Sequence, residues 1–387
     1  MSIYIDYTAV LALEKDIGKY TGAGNYTRDL ISLLKEHGIS VSILVNNGFS
    51  PRNKWEEEML WDDLHPVRTK DITAVGFSPG DVLLLPAVTG RILAKVSRIR
   101  KKNAGLKIYA VIHDRQHNIH RFDPMDRIFR EGIYRFLPVL YARYVVKKLI
   151  YDLFYPGWIK NIDKVFTVSN HTLQALEHKN LKRITYFYQP TSVMKRTPVK
   201  PPGIDETGEY ILFVSGGRPE KNLGRALLAF RDLCSGSDAK TRLCITGIEK
   251  EKLYRIADRL KLPRKFTDER VRSYDYVDTG ELAYLYGNCR YVLFLSKGEG
   301  FGLPVLEAIQ AGKTVLCSRQ SSMPEVCGSI LCYVDAFSVA SIGEGMIYLS
   351  DDKNLAYREK LVEKKKKIIN AQISLDEQVL VDEVVGE

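Results

Sequence analysis

The chain has 387 residues, of which 45% are hydrophobic and 27% charged, with a formal net charge of +10. These are globular values and exclude a disordered or fibrous protein. The length is generous for one hydrophobic core and ordinary for two domains. No apolar run is long enough to span a bilayer, and the first residues enter a predicted strand directly, so we expect neither a transmembrane helix nor a signal peptide.

The first half of the chain alternates strand-like and helix-like segments. Short apolar runs predict strands at 2–7, 41–45, 81–87, 107–113, 164–169 and 184–188. The clearest early helix is predicted over 24–37, where leucine and isoleucine recur at helical spacing. Alternation of this kind predicts a parallel sheet covered by helices.

Prolines accumulate between residues 189 and 208 and predict an interdomain linker. The alternation then resumes, with predicted helices at 223–234 and 279–289 and strands at 210–215, 243–247, 291–296, 314–318 and 330–334. We therefore predict an α/β fold of two Rossmann-like domains that face each other across a cleft. The N-terminal domain would cover residues 1–195 and the C-terminal domain residues 205–369.

Two carboxylates, Glu299 and Glu307, flank a glycine turn that follows a buried strand. Gly300 and Gly302 would let the backbone approach a ligand closely, and Pro304 is typical of the first helical position. A strand end, a bare loop and a helix N-terminus together form a site for an anion such as a diphosphate. Glu307 would repel that anion, so it is better suited to a pair of sugar hydroxyls.

This pattern resembles the Glu-x7-Glu motif of the retaining GT-B glycosyltransferases, specifically family 4. Other segments resemble that family in the same order: the glycine loop at 21–26, the His-Asp at 111–114, the Arg/Lys turn at 210–222 and the SSxPEV loop at 321–326. The matches span residues 2 to 335. The resemblance implies a GT-B fold whose last helix, over about residues 370–387, crosses back to the N-terminal domain.

Arg218 and Lys221 lie on a short turn after the first strand of the second domain. Breaking a glycosyl–diphosphate bond builds negative charge on the leaving group, so fixed cations are what the reaction requires. An arginine fork with a lysine point charge is common at phosphates. Taken alone, these two cations would favour solvated surface charges on a βα turn. With the glutamate motif at the same sheet edge, they favour a diphosphate site.

The resemblance supplies roles for the remaining residues. It implies that Glu307 binds ribose, that Glu299 faces the transferred sugar, and that His113 lies beside the reaction centre. It also implies further contacts with the donor from the glycine loop and from backbone amides, namely Gly22, Gly24, Phe301, Gly302 and Leu303. The nucleobase is expected near residues 272–277, and its identity stays open between UDP, GDP and dTDP.

We expect no metal and no cofactor beyond the nucleotide-sugar co-substrate. His113 and His117 are spaced like metal ligands, but the sequence offers no third ligand and no Asp-x-Asp motif. The six cysteines form no Cys-x-x-Cys pair and lie in the second half of the chain. We interpret them as buried, reduced thiols of a cytosolic protein.

Residues 91–160 contain sixteen basic and five acidic side chains, an excess that accounts for the whole net charge. Residues 120–160 add ten aromatics. At helical spacing, Ile133, Phe136 or Leu137, Leu140 and Tyr144 form an apolar stripe, which is flanked by Arg130, Arg135, Arg143, Lys147 and Lys148. A basic aromatic helix favours an anionic membrane surface. Nucleic acid is the rival partner, but no nucleic-acid module is present. The structural alternative is a helix packed on its own sheet with a wet basic face.

Together these features predict a retaining, metal-independent glycosyltransferase of bacterial surface polysaccharide synthesis. It would move a sugar from a nucleotide-sugar donor to a glycan acceptor that is lipid-linked, and we expect it in the cytoplasm, peripheral at the inner face of the cell membrane. Two alternatives stay open. One is a nucleotide-sugar 2-epimerase, which shares the two-domain shape, and the other is a non-catalytic sugar-nucleotide-binding subunit.

Overall fold

The computed structural model describes residues 1–17, 22–51, 64–88, 90–114, 122–176, 184–186, 196–204, 210–236 and 240–386. The chain divides into two compact units. Unit 1 consists of Met1–Arg115, Leu149–Pro190 and Gln372–Glu387, and unit 2 of Gln116–Lys148 and Thr191–Ala371. Each unit contains a parallel sheet with helices, so the predicted α/β class is confirmed.

Over the described residues, unit 1 contains a parallel sheet of seven strands in the order β3-β2-β1-β4-β5-β6-β7. Their bounds are β1 Ile3–Asp6, β2 Val41–Asn46, β3 His65–Thr69, β4 Val82–Leu85, β5 Lys107–Ile112, β6 Lys164–Thr167 and β7 Ile184–Tyr186. All except β3 coincide with predicted strands. Strand β3 was missed because it is an edge strand, where proline and charged residues are tolerated and the apolar pattern is lost.

The helices described in unit 1 are α1 Thr8–Ile17, α2 Gly22–Glu36, α3 Gly90–Lys102 and α5 Asn170–Leu176. Two longer helices each contain a unit boundary, namely α4 Leu137–Ile159 and α13 Asp352–Val385. The predicted last helix over 370–387 is the end of α13. Within unit 1, Lys164 Nζ donates a hydrogen bond to the backbone oxygen of Glu383 at 3.0 Å, which ties this end of α13 to strand β6.

The described part of unit 2 contains a parallel sheet of six strands in the order β10-β9-β8-β11-β12-β13. Their bounds are β8 Tyr210–Phe213, β9 Arg242–Thr246, β10 Val271–Tyr274, β11 Val292–Phe294, β12 Val315–Ser318 and β13 Cys332–Val334. The helices are α6 Leu223–Gly236, α7 Lys250–Arg259, α8 Arg264–Arg270, α9 Thr279–Asn288, α10 Leu303–Gln310, α11 Met323–Cys327 and α12 Val339–Ser350. The edge strand β10 was missed because its residues are only partly buried and carry no apolar run. The predicted linker is described only at residues 196–204.

All six cysteines lie in unit 2 and all are free thiols. Four of them are buried in the packed interior: Cys244, Cys289, Cys317 and Cys327. Burial raises the pKa of both Cys289 and Cys327 to about 12. The thiols of Cys289 and Cys327 are therefore protonated at neutral pH. The prediction of buried cysteines holds for four of the six, since Cys234 and Cys332 are only partly buried.

Unit 2 also includes Gln116–Lys148, which the sequence-based division gave to the N-terminal domain. The 3-10 helix Pro124–Phe129 packs on α6, and Ile128, 5% exposed, belongs to the hydrophobic core of unit 2. Arg259 on α7 donates a hydrogen bond to the backbone oxygen of Ile128 at 2.6 Å. A Cβ atom on Gly224 of α6 would lie 2.5 Å from Cδ1 of Ile128. Glycine at that position of the helix leaves room for the Ile128 side chain, which a larger residue would displace.

We expect Gly224→Ala to lower the free energy of unfolding of unit 2 by about 1–3 kcal/mol, because the added methyl group overpacks the contact with Ile128. Denaturant unfolding measures the change. Gly343→Ala in α12 is the matched control, since its Cβ would meet nothing within 4 Å. It should be neutral, or stabilising by up to about 1 kcal/mol. Equal stability of the two variants would contradict the close packing of residues 124–129 on α6.

Candidate active site

The predicted catalytic residues of unit 2 lie on two loops at the carboxyl edge of its sheet. The turn after β8 carries Arg218 and the 3-10 helix Pro219–Lys221, and the loop after β11 carries Glu299. Strands β8 and β11 are neighbours, so these loops meet. The backbone N–H of Lys297 donates to the backbone oxygen of Glu220 at 2.9 Å, which joins the two loops directly.

Lys221 and Glu299 form a buried ion pair. Lys221 Nζ donates to Glu299 Oε1 at 2.5 Å, and the two side chains are 4% and 17% exposed. Burial lowers the pKa of Lys221, although the carboxylate of Glu299 opposes this change. Burial also acts to raise the pKa of Glu299, but the Lys221 ammonium outweighs it and leaves that pKa below its ordinary value. Each charge therefore favours the ionised form of the other.

Arg218 is placed differently from Lys221. Its side chain is 54% exposed, and its Nε lies 3.3 Å from Glu220 Oε1 on the same turn. Asn222 closes the turn in the left-handed conformation, with φ of 68°, and its Nδ2 donates to the backbone oxygen of Ala336 at 2.6 Å. The structure thus brings Lys221 and Glu299 together and leaves Arg218 at the surface of the turn.

The glycine loop leads into helix α10 at Gly302, which caps the helix with φ of 100°. A Cβ there would lie 2.1 Å from Cε of Met323, so both the backbone angle and the space require glycine. Ser322 Oγ donates to the backbone oxygen of Phe301 at 2.9 Å and fixes the loop. Leu303 is the first helical residue and Pro304 the second, one position later than predicted. The Leu303 N–H thus lies at a helix N-terminus, where amides lack intrahelical acceptors and favour anions.

With Pro304 as the predicted first helical residue, Glu307 was expected in the first turn of the helix. It is the fifth residue of α10 and lies just beyond that turn. It is 6% exposed, and its Oε2 accepts a hydrogen bond from the hydroxyl of Tyr286 at 2.7 Å. Burial and the nearby carboxylate raise the pKa of Tyr286 well above its usual value, so the phenol remains a donor. Tyr286 therefore orients the carboxylate that is predicted to bind ribose.

The segment predicted to lie near the nucleobase makes contacts within unit 2. The side chain of Arg272 donates to the backbone oxygen of Gly203 at 2.7 Å, and the hydroxyl of Tyr274 donates to that of Pro202 at 2.9 Å. These side chains of β10 hold the linker residues 196–204. Recognition of a base by the backbone of residues 272–277 stays a prediction.

Sequence reasoning missed a buried ion cluster next to Glu299. Lys297, whose side chain is 4% exposed, donates from Nζ to Asp123 Oδ2 at 3.0 Å and also pairs with Asp126. Arg225 donates to both carboxylate oxygens of Asp123, at 2.7 and 3.0 Å. Burial acts to raise the pKa of Asp123, but Arg225 and Lys297 outweigh it and lower the pKa to about 2.

A local signal for part of this ion cluster was present in the sequence. Asp123 followed by Pro124 is typical of a capped helical turn, and the Asp123 side chain accepts from the N–H of Met125 at 3.0 Å. Asp123 and Asp126 nevertheless entered the sequence-based interpretation only as two of the five acidic side chains in residues 91–160. Nothing in the local pattern points to Lys297, because its partners lie more than 170 residues away.

In unit 1, His113 directly follows strand β5 at the carboxyl edge of the sheet. Its Nε2 lies 2.8 Å from the backbone oxygen of Pro86, and since a carbonyl only accepts, Nε2 carries the proton. The ring of Tyr26 packs edge-on at 4.8 Å between centroids. Burial lowers the pKa of His113 to about 4, with the bond to Pro86 opposing in part. His113 is therefore a neutral imidazole at physiological pH. Its possible metal partner His117 lies outside the described residues.

Gly22 and Gly24, predicted to lie in a glycine loop, lie instead in the first turn of α2, so the predicted loop is wrong at these two positions. Gly22 is the exposed first residue of the helix, whereas Gly24 is buried. A Cβ on Gly24 would lie 2.0 Å from Oε1 of Glu14, which forms a buried ion pair with Arg28 at 3.0 Å. Packing against this ion pair by itself requires glycine at position 24. The predicted role of both glycines toward a diphosphate stays a prediction.

Asp6 is a second buried carboxyl group that the sequence did not reveal. It ends strand β1, is 1% exposed, and its Oδ1 accepts from the backbone N–H of Thr8 at 3.0 Å. Its Oδ2 has no hydrogen-bond partner in the part of the chain that the structure describes. Burial raises the pKa of Asp6.

We expect the ring of His113 to stay neutral, with its proton on Nε2, from about pH 8 to pH 5, whereas an ordinary histidine titrates near about 6.5. Nitrogen-15 chemical shifts of the imidazoles, assigned by comparison with His113→Gln, measure this. Between the unfolded pKa of about 6.5 and the folded pKa of about 4, protonation of His113 favours the unfolded state. His113 should therefore reduce the free energy of unfolding by about 1.4 kcal/mol per pH unit as the pH falls through this range. The free energy of unfolding of His113→Gln should fall less steeply with decreasing pH than that of wild type. A His113 signal with a midpoint near about 6.5 would contradict the buried neutral ring.

Comparison with known proteins places a family match in unit 2. Residues 195–368 match the model described as Glycosyl transferases group 1. The chain is 31% identical over 147 residues to O-antigen chain mannosyltransferase B of Escherichia coli, which covers 37% of each protein. It is 31% identical over 123 residues to serotype-specific mannosyltransferase WbdA of Escherichia coli, covering 31% of this chain and 15% of that protein. The chain thus matches well under two thirds of the length of these relatives.

The structure resembles sucrose-phosphate synthase from Thermosynechococcus elongatus, with a TM-score of 0.67. The alignment covers 100% of this chain and 99% of that chain at 13% sequence identity. Identity this low shows the fold alone. The predicted GT-B type of the α/β fold is thereby confirmed.

Proposed function

We propose that the chain is a glycosyltransferase that moves a sugar from a nucleotide-sugar donor to a glycan acceptor in bacterial surface polysaccharide synthesis. The observation that carries this proposal is the Lys221–Glu299 ion pair beside the N-terminus of α10, within the segment that matches the family model. An ammonium held beside a helix N-terminus can take up the charge of a departing diphosphate. The names of the relatives make mannose the first sugar to test.

In the proposed reaction, the bond between the anomeric carbon and the diphosphate oxygen breaks while the acceptor hydroxyl oxygen bonds to that carbon. The hydroxyl proton passes to the departing phosphate oxygen. Lys221, with Arg218 reaching in from the exposed turn, would offset the growing negative charge. Glu299 would face the sugar and keep Lys221 charged. Retention of configuration, independence of metal ions, and donor-binding roles for His113 and the two glycines belong to the same proposal.

Substitution of the two glutamates is expected to impair different steps, namely nucleotide binding for Glu307 and sugar transfer for Glu299. Glu307→Gln should weaken binding of the free nucleoside diphosphate, because ribose is present with or without the sugar. Glu299→Gln should spare that binding and reduce transfer.

Lys221→Met should lower turnover by about a hundredfold or more, as expected for loss of one transition-state donor. Titration calorimetry with UDP, GDP and dTDP and transfer assays with labelled nucleotide sugars, GDP-mannose included, measure these effects.

The controls for these variants follow from burial. Removing either partner of the Lys221–Glu299 pair strands a buried charge and should cost about 3–5 kcal/mol, so the assays belong well below each unfolding transition. Arg231→Met removes a cation of α6 that pairs with Asp232 at the surface and should leave turnover unchanged. Equal weakening of diphosphate binding in both glutamate variants would contradict the assigned roles. Epimer formation would favour the epimerase, and binding without turnover the non-catalytic subunit.

We further propose that the acceptor is lipid-linked and that the protein binds the inner face of the cell membrane from the cytoplasm. The supporting observation is an apolar–cationic surface in unit 2. The apolar side chains of this surface are each between 41% and 66% exposed. They belong to Ile133, Tyr134, Phe136, Tyr141, Val145 and Val146. Its exposed cations are Arg135, Arg143 and Lys148. Exposed apolar patches of this kind mark interaction sites, and cations beside them favour anionic lipid.

The exposed face differs from the stripe that the sequence predicted. Leu140, an expected member, is 8% exposed, while Tyr141 beside it is 53% exposed. The exposure of these apolar side chains supports a membrane contact over the alternative of a helix packed on its own sheet with a wet basic face. The side chain of Lys147 lies outside the described part of the chain. Among the described helices, none is both long and apolar enough to cross a bilayer.

Replacing Arg135, Arg143 and Lys148 together by Gln should release the protein from anionic vesicles, because each cation near the lipid contributes about 1 kcal/mol. Sedimentation with phosphatidylglycerol vesicles at low and high salt is the measurement. The matched control changes three lysines of α13, Lys364, Lys366 and Lys367, to Gln and removes the same charge. If wild type ignores these vesicles at low salt, or if both triple variants lose binding equally, this surface is not the membrane contact.

A further inference from the structure

We propose that Lys297, held by Asp123 and Asp126, is a positioning residue that fixes the Lys221–Glu299 pair. The inference rests on the proposed function in that it assigns these residues to the same site. None of the three is expected to touch the donor. They would act on the reaction through the loops that carry Lys221 and Glu299.

The first observation is the balance of charge among the ion pairs of the cluster. Two cations, Arg225 and Lys297, pair with two carboxylates, Asp123 and Asp126, so these four described side chains together are neutral. The side chains of Asp123 and Lys297 are 1% and 4% exposed. Leaving one buried charge of such a cluster without a partner is costly, so each member restricts the position of the others.

The second observation is the short path from the cluster to the ion pair. Gly298 alone separates Lys297 from Glu299 along the chain. The N–H of Lys297 donates to the backbone oxygen of Glu220 at 2.9 Å, and Ser296 Oγ donates to the same oxygen at 3.3 Å. Glu220 directly precedes Lys221. Holding Lys297 therefore restrains both ends of the Lys221–Glu299 pair.

The third observation is that the cluster also supports the other side of the turn. Arg225 donates to the side-chain oxygen of Asn222 at 3.0 Å, in addition to its two bonds to Asp123. Asn222 is the left-handed residue that ends the turn with Lys221. Asp123 thus connects to the β8 turn through Arg225 and to the β11 loop through Lys297. One carboxylate supports both loops of the candidate site.

The test compares Lys297→Met with Lys297→Arg and with a matched control, Arg259→Met. Arg259 holds the same segment by hydrogen bonds to the backbone oxygens of Ile128 and Arg130, at 2.6 and 3.0 Å, and touches neither loop. Lys297→Met should lower kcat for transfer by about tenfold or more while changing the affinity for the nucleoside monophosphate less than about threefold. Lys297→Arg should restore most of the loss, and Arg259→Met should keep kcat within about threefold of wild type.

Hydrogen exchange of the intact protein supplies a readout that is independent of activity. The backbone amides of residues 220–222 and 296–302 should exchange faster in Lys297→Met than in wild type, and at the wild-type rate in Arg259→Met. If Lys297→Met does not fold, the charge-balanced variant Lys297→Met with Asp126→Asn replaces it, with the same expectation. If the amides of these loops exchange in Lys297→Met at the wild-type rate, the proposal is overturned. Equal losses of kcat in Lys297→Met and Arg259→Met would also overturn it. If wild type transfers no sugar from any donor, the proposed function fails, and the exchange data still decide the positioning role.

Discussion

The candidate site depends on a buried ion pair between Lys221 and Glu299. A buried charge is tolerated only where it is compensated, and a parallel sheet provides the means, because neighbouring strands β8 and β11 deliver their loops to one edge. The glycine turn then brings the N-terminus of α10 to the same edge, where its amides add positive character. The Lys221 ammonium, the Glu299 carboxylate and the first amides of α10 thus lie at one edge of the sheet.

The sequence was informative where chemistry and local structure coincide. Glu299, Gly302 and Glu307 stand in one short segment, and the apolar run of β11 ahead of it marks its place in the sheet. Edge strands β3 and β10 escaped prediction, since a strand with one open side needs no continuous apolar pattern. The same holds for the bond between Lys297 and Asp123, which joins residues 174 positions apart and has no periodicity to reveal it.

Residues 122–148 show how far composition can mislead about location. Their basic and aromatic character was visible, but their membership of unit 2 depends on the fit of Ile128 against Gly224 and on the pairing of Asp123. One short segment therefore supports the β11 loop through its aspartates and continues into the apolar–cationic surface. The same segment of unit 2 therefore contributes both to the hydrophobic core and to the support of the candidate site.

The distribution of cysteine gives the chain an internal reporter. Since all six thiols lie in unit 2 and four are buried, an alkylating reagent can modify those four only after the surrounding structure opens. The rate at which the four buried thiols are labelled in the unmodified protein would therefore follow the opening of unit 2 and give no information about unit 1. Added ligand that slows labelling would then locate its stabilising effect in the unit that matches the glycosyl transferase model, without any engineered probe.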